Sequence, residues 1–338
     1  MGETLGWLQV SGTAYEIGLG LGQAGRRAVH DLLRPNPFWQ EVTGPTHAKA
    51  VALMAAQTQA RFPDIWQEIR GLADGLGLPL EVVMAWNCRG DLLASVPDGC
   101  TTVLMPADAA TAAPARLAHN EDGFPFLRGH SFVADLRPEG RPAIIGFCYP
   151  GSIPGHTFAV TSGGMVQTVN NIRLTGVSPK VPRMVLSRAV LAMPHVDAAI
   201  ALLRQGAQSG GFHLGLCDTR VRQLMSVEYG GGTVSAQRVD APLVHANHAL
   251  HLPGALAHQV ITRSSANRQA RGEALLAQGA LPLEILHDGG GPGLPILRLG
   301  ADDPDDENTH ATLLAEVTSG RVQWEIHVPG QDGPAYRG

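Results

Sequence analysis

Apolar residues recur every three to four positions through TAYEIGLGLGQAGRRAVHDLL, with Arg26 and Arg27 outside the stripe. The same period continues through THAKAVALMAAQTQARFPDIWQEIRGLADGLG. This spacing predicts that the first 95 residues are helical. Pro63 breaks or restarts the pattern, and Gly75 and Gly77 end it. LPLEVVMAWNCRGDLLAS predicts a further short helix. After Val96 the texture changes to short alternating or β-branched runs split by Gly, Pro and Asn. CTTVLMPA, RLAHNEDG, HSFVADLRPEGRPAIIGFCYPG and HTFAVTSGGMVQTVNNIRLTG read as strands and hairpins. PRMVLSRAVLAMPHVDAAIALLRQ returns to helical period. FHLGLCDTRVRQLMSVEYGGGTVSAQRV is again strand-like. SSANRQARGEALLAQ predicts a helix opened by a Ser cap. TLLAEVTSGRVQWEIHVPG predicts a hairpin. Runs of helices and runs of strands, without strict alternation, predict layered α+β packing.

The 338 residues carry no long linker, and 44% are hydrophobic, enough for a sizeable core. The expected organisation is one domain over residues 1–338. Net charge is −5, and no basic block of five or more residues occurs, which argues against nucleic acid as a partner. No stretch reaches the roughly 18 uninterrupted apolar residues of a membrane helix. The start has no basic segment followed by an apolar run, so no signal peptide is expected, and the expected location is the cytoplasm. Cys88, Cys100, Cys148 and Cys217 contain no C-x-x-C pair, so neither a zinc site nor a redox dithiol is expected. Three of the four are expected in the core. No cofactor or metal is called for.

Cys100 is the fourth. In SVPDGCTT it follows an Asp-Gly turn signal. A thiol needs a neighbour that takes its proton, and no His is close in sequence. Cutting the Gly99–Cys100 bond would supply one. The freed α-amine, with a pKa of roughly 7.7–8.0, could accept the thiol proton directly or through a water. Gly99 tolerates the strained backbone that lets the thiol reach the preceding carbonyl. The bland alternative is a cysteine in a strand after a turn. AHNEDG gathers His119, Asn120, Glu121 and Asp122, either as a polar cluster in a site or as a surface turn. In HANHALH, His245, His248 and His251 step by three. On an extended segment that step alternates faces, which argues against a metal. Asn247 there is a suitable oxyanion donor. DDPDDEN lacks the EF-hand spacing and reads as a solvated acidic loop.

Taken together, these segments resemble the isopenicillin N acyltransferase family (acyl-CoA:6-aminopenicillanic acid acyltransferases and relatives), among the N-terminal-nucleophile hydrolases. The resemblance is carried, in chain order, by GTAYEIGLGLG, by FPDIWQEIRGLADGLGLPLEVVMAWNCRGDL, by DGCTT, HNEDG, GGMVQTVNNIRLTG, HANHAL and SSANRQAR. It implies a four-layer αββα sandwich made as a precursor that cuts itself before Cys100. The products would be a 99-residue α chain and a 239-residue β chain that stay associated. It implies Cys100 as nucleophile with its own amine as base, Gly99 and Cys100 as the processing site, and catalytic roles for Asp122, Asn247 and, in PILRLG, Arg298. It places Thr101, Asn120, Asn170 and Asn171 at the substrate or oxyanion. Glu121 stands where many relatives carry an aromatic. The implied activity is cleavage or transfer of an acyl group at a linear amide or thioester. The partners would be a small amide or an acyl-CoA. Two other readings stay open: an unprocessed binding protein on the same fold, and a Cys-His-Asp amidase with His119 or His248 as base.

Overall fold

The alternating segments resolve into two sheets in a computed structural model that describes residues 5–94, 99–108, 110–206, 208–254 and 258–338. Ser95 to Asp98, the first half of SVPDGCTT, lies outside the described residues. Among the described residues one sheet has eight strands. In spatial order they are Gly6–Gly12 (β1), Phe132–Pro138 (β4), Ile144–Cys148 (β5), Ala159–Thr161 (β6), Met165–Ile172 (β7), Gly211–Asp218 (β8), Met225–Gly230 (β9) and Thr233–Arg238 (β10). The other has six: Leu243–His245 (β11), Gly99–Met105 (β2), Ala115–Gly123 (β3), Asn308–Thr318 (β12), Arg321–His327 (β13) and Tyr336–Arg337 (β14). β2 and β3 pack on β7, so the sheets lie face to face.

Helices cover the outer faces. They are Ala14–Ala28 (α1), Pro37–Val42 (α2), Ala48–Arg61 (α3), Pro63–Leu76 (α4), Leu80–Trp86 (α5), Arg89–Leu92 (α6), Arg183–Val190 (α7), Val196–Gln205 (α8), Arg263–Ala277 (α9) and Pro282–Leu286 (α10). α1 lies on β1 and β4, and α8 on β8 and β10. α4 packs on α1 and on α7, which joins these helices into one layer. α9 and α10 lie on β2, β3 and β11 or β12 of the other sheet. The layering is therefore helix, sheet, sheet, helix.

Two details differ from the sequence expectation. The first 95 residues are not all helical, because GWLQVSG forms β1, paired in parallel with β4. Seven residues are too few for period to separate strand from helix. The cap of α9 is Thr262, whose hydroxyl accepts from the Ser265 N–H, and not a serine. Elsewhere the signals hold. Thr13 and Glu16 form a capping box on α1. Pro63 opens α4 at its first turn, and Gly77, with φ of 67°, closes it.

Strand parity sets the positions in the site. β2 and β3 pair with Cys100 opposite Glu121, Thr102 opposite His119 and Val103 opposite Ala118. Val103 and Ala118 pack with Ile285 and Leu286 of α10. Leu104 and Leu117 instead join the main core. Side chains alternate along a strand. Cys100, Thr102, His119 and Glu121 therefore face the space between the sheets. Gly99, Thr101, Asn120 and Asp122 are on the helical side.

Candidate active site

Cys100 does not sit in an exposed turn. It is the second residue of β2 and only 2% exposed. All four cysteines are free and buried. Burial pushes the Cys148 and Cys217 thiols up to about 12, which leaves them inert near neutral pH. The Cys88 thiol is likewise driven well up by burial and by Asp91.

Charged and amide groups surround the Cys100 backbone. Its N–H donates to Asn247 Oδ1 at 2.9 Å. Arg268 of α9 donates through Nη2 to the same oxygen at 2.6 Å, through Nη1 to Thr101 Oγ1 at 2.9 Å, and through Nη1 to the Cys100 carbonyl. Both donors demand an acceptor, so they fix the orientation of the Asn247 amide. Its Nδ2 is buried with no hydrogen-bond partner among the described residues. A donor prepared in this way suits charge that develops on a substrate oxygen.

The thiol faces another set. Sγ donates to Glu121 Oε2 at 3.7 Å, and the same oxygen lies 3.1 Å from His119 Nε2. The tautomer of His119 follows from its neighbours. Asn170 Nδ2 donates to the His245 carbonyl at 3.1 Å, so Asn170 Oδ1 is an acceptor. The Thr102 hydroxyl donates to it at 2.7 Å. Thr102 Oγ1 has then spent its one hydrogen and accepts from His119 Nδ1–H at 2.8 Å. Burial, reinforced by Arg268, pushes His119 down to about 3. The ring is neutral at neutral pH, and its Nε2 lone pair points at Glu121.

Gly99 is lined by a third cluster. A Cβ there would collide with Glu307 Oε2 and crowd Arg298 Nη1, so any side chain at this position would displace the Glu307–Arg298 pair. Arg298 is fully buried and binds Asp303, Asp305 and Glu307. Arg173 reaches Glu307 from the opposite side at 3.4 Å. Burial raises Glu307 to about 7, against the pull of Arg298, Arg173 and Arg268. The run DDPDDEN is thus not a uniformly solvated loop, because Asp303 and Glu307 turn inward to clamp Arg298. Asp122 is opposite Gly99 in the ladder. Thr309 Oγ1 donates to its Oδ1 at 2.6 Å, and burial raises its pKa.

The structure thus brings Gly99, Cys100, Thr101, Asp122, Asn247 and Arg298 around one junction. Asn170 joins through Thr102. Asn120 is tied elsewhere: its Nδ2 donates to the Leu286 carbonyl at 2.7 Å and its Oδ1 accepts from Thr312 at 2.6 Å. Asn171 turns to the other face of β7, where Arg183 holds its Oδ1. His248 bonds Ser265 at 2.8 Å, while His245 at 2.8 Å and His251 at 3.7 Å both face Glu228, and His251 also bonds Ser226 at 2.9 Å, so the three histidines do not converge on one point. Two site residues escaped the sequence reading. Arg268 lies with Ser264, Ser265 and Gln269 on a polar face of α9 that only the fold buries. Glu307 had no signal beyond an acidic run. A cleft of about 510 Å³ opens at Leu174, one residue past Arg173, between Val177, Lys180, Thr233, Leu252 and His258.

A buried cysteine at the head of a strand in a two-sheet sandwich, its amide held by an Asn–Arg pair, defines a class of cysteine-centred site. Residues 111–331 match the family described as acyl-coenzyme A:6-aminopenicillanic acid acyl-transferase, and the chain belongs to that family. The matched range starts after Cys100 and includes Asp122, Asn247, Arg268 and Arg298. The chain is 24% identical over 222 residues to the β-alanyl-dopamine/carcinine hydrolase of Drosophila melanogaster, over 58% of this chain and 56% of that protein. The match therefore spans little more than half the length of that relative. Among solved structures, a variant of the conjugated bile acid hydrolase from Clostridium perfringens aligns with a TM-score of 0.40 and 10% identity, covering 69% of this chain and 90% of that one. Among the described residues no helix is long and apolar enough to cross a membrane.

Proposed function

We propose that this chain is a self-cleaving cysteine enzyme that cleaves or transfers an acyl group at a linear amide or thioester. The observation that carries the reading is Asn247. Its acceptor holds the Cys100 N–H, while its buried Nδ2 is left to donate. In the precursor, Cys100 Sγ attacks the Gly99 carbonyl carbon. The Gly99–Cys100 C–N bond breaks, the thiol proton passes to the departing nitrogen, and a thioester to Gly99 remains. Water hydrolyses that thioester, which frees the Gly99 carboxylate and the thiol.

The freed α-amine then serves as base. It takes the thiol proton, the thiolate attacks a substrate carbonyl, and Asn247 Nδ2 stabilises the oxyanion. The leaving amine departs with the proton. Water, or a second amine, releases the acyl group from Cys100. Asp122 and Arg298 flank the junction, where they orient the new terminus, and Arg268 holds Asn247 in place. The cleft beside Arg173 is the proposed entry for substrate. The Drosophila relative is named for β-alanyl-dopamine and carcinine; for this chain the proposal extends to a linear amide and not to a particular acyl group or amine.

Intact-mass measurement tests this reading. We expect two species of 99 and 239 residues that co-elute on native size exclusion and separate in denaturant. Cys100→Ala should give one 338-residue species. A wild-type chain that stays whole, or a Cys100→Ala chain that still splits at Gly99, would overturn the self-cleavage.

A further inference from the structure

Three ligand atoms of different chemistry converge beside the nucleophile. Cys100 Sγ, His119 Nε2 and Glu121 Oε2 all lie within 4.8 Å of one another, and all three residues are buried. The S–O edge is 3.7 Å and the O–N edge 3.1 Å. A tetrahedral zinc centre, with Zn–S of about 2.3 Å and Zn–N or Zn–O of about 2.0–2.2 Å, has edges of about 3.6 and 3.4 Å. These two edges stand within a few tenths of an ångström of that arrangement, and the S–N edge is within 4.8 Å.

The surroundings fit a ligand set. Hydrogen bonding to Thr102 keeps the hydrogen of His119 on Nδ1 and turns the Nε2 lone pair inward. Asn170 fixes Thr102 in turn. A histidine ligand is ordinarily oriented in this way by an acceptor on its other nitrogen. A thiolate and a carboxylate together neutralise a divalent cation, so its burial adds no net charge to the site. Sulfur and imidazole favour zinc over magnesium or calcium, which take oxygen. The strand register explains why no spacing motif announced the set: Cys100 and Glu121 are cross-strand partners, 21 positions apart in the chain.

We propose that Cys100, His119 and Glu121 form a three-ligand site for a thiophilic divalent cation, zinc foremost, with a fourth position left for water or a substrate atom. On binding, the thiol proton, together with any proton held between Glu121 and His119, leaves to solvent. Coordination withdraws electron density from the sulfur and makes it a weaker nucleophile toward a carbonyl, so occupancy is a reversible brake on the nucleophile. The brake rests on the Cys100 reading above; the binding does not.

Cobalt(II) is the probe. The full-length protein is produced in cobalt-supplemented medium and also titrated with cobalt(II) after purification. We expect one cobalt per chain and a thiolate-to-cobalt charge-transfer band, both displaced by zinc. Cys100→Ala should abolish the band. Glu121→Gln and His119→Gln should each weaken binding by roughly ten- to hundred-fold or more. If His119→Gln does not fold, the near-isosteric Glu121→Gln carries the test. No band in the wild type, or wild-type affinity in Glu121→Gln, would overturn the site. A band in a chain that never cleaves leaves the metal site standing and removes the self-cleavage. Cleavage without a band does the reverse.

Discussion

Asn247 has two ends with different duties. Its Oδ1 accepts from the Cys100 N–H and from Arg268, both charged or strongly polar neighbours in a buried place. Its Nδ2 is buried with no hydrogen-bond partner among the described residues, and in the proposed mechanism it is the oxyanion donor. The two duties separate by substitution. Asn247→Asp keeps an acceptor for Cys100 and Arg268 but lacks the amide donor. If Nδ2 holds the oxyanion, Asn247→Asp should fold, keep Cys100 in place and lose about 10²–10³ in kcat on an amide substrate, or about 2.7–4 kcal/mol. Single-turnover acylation measured by mass would read this directly. An acylation rate like the wild type's would assign the oxyanion to another donor. The residue type of Asn247 was legible in the sequence, because an Asn amide is a neutral double-ended group. Arg268, which sets its orientation, was not. A buried arginine in a Ser-rich helix start reads as surface charge until the fold turns that face inward.

α1 and α4 meet through glycines on both sides. A Cβ at Gly18 would collide with the Glu68 carbonyl oxygen, and one at Gly71 with the Tyr15 carbonyl oxygen. Gly22 and Gly75 repeat the contact one turn on. Helix propensity alone says that Gly71→Ala stabilises by about 0.8–1.0 kcal/mol. Steric overlap says the opposite, with a loss of about 1–3 kcal/mol or more. We expect the loss, read as a lowered denaturant midpoint. Gly289→Ala, with nothing within 4 Å of its added Cβ, should change little. Elements such as α1 and α4 were legible because their period runs over 15 and 14 residues. The β12–β13 hairpin was legible from alternation around Ser319-Gly320. β1 was hidden by brevity. The strand holding HNEDG was legible, but its parity was not. Nothing in the sequence says whether His119 and Glu121, or Asn120 and Asp122, face the other sheet; packing against α10 decides it.

Residues before and after Gly99 share one core, so a cut at that bond leaves two chains interlocked across the whole molecule. β1 is an edge strand of a sheet otherwise built from residues after 131. The buried Glu68–Arg188 pair, at 2.7 Å, joins α4 to α7. Asp91 accepts from the backbone N–H groups of Arg183 and Gly210. The junction itself is bounded by Glu307, which couples the stability of the assembly to pH. In the folded state burial raises this carboxyl to about 7, although Arg298, Arg173 and Arg268 oppose the rise and Asp122 adds to it. In an unfolded chain a glutamate titrates near 4.3, to order of magnitude. The folded state therefore binds the proton more tightly. Its contribution is complete below about pH 4.3 and is lost as pH rises through about 7. Glu307→Gln mimics the protonated form at every pH. Melting temperatures of the two proteins should agree most closely at or below about pH 4, and the wild type should fall relative to Glu307→Gln as pH rises from about 4 to about 7. Parallel curves would mean that Arg298 and Arg173 keep the carboxylate ionised throughout. The same titration would then leave the Gly99 junction unchanged across the neutral range.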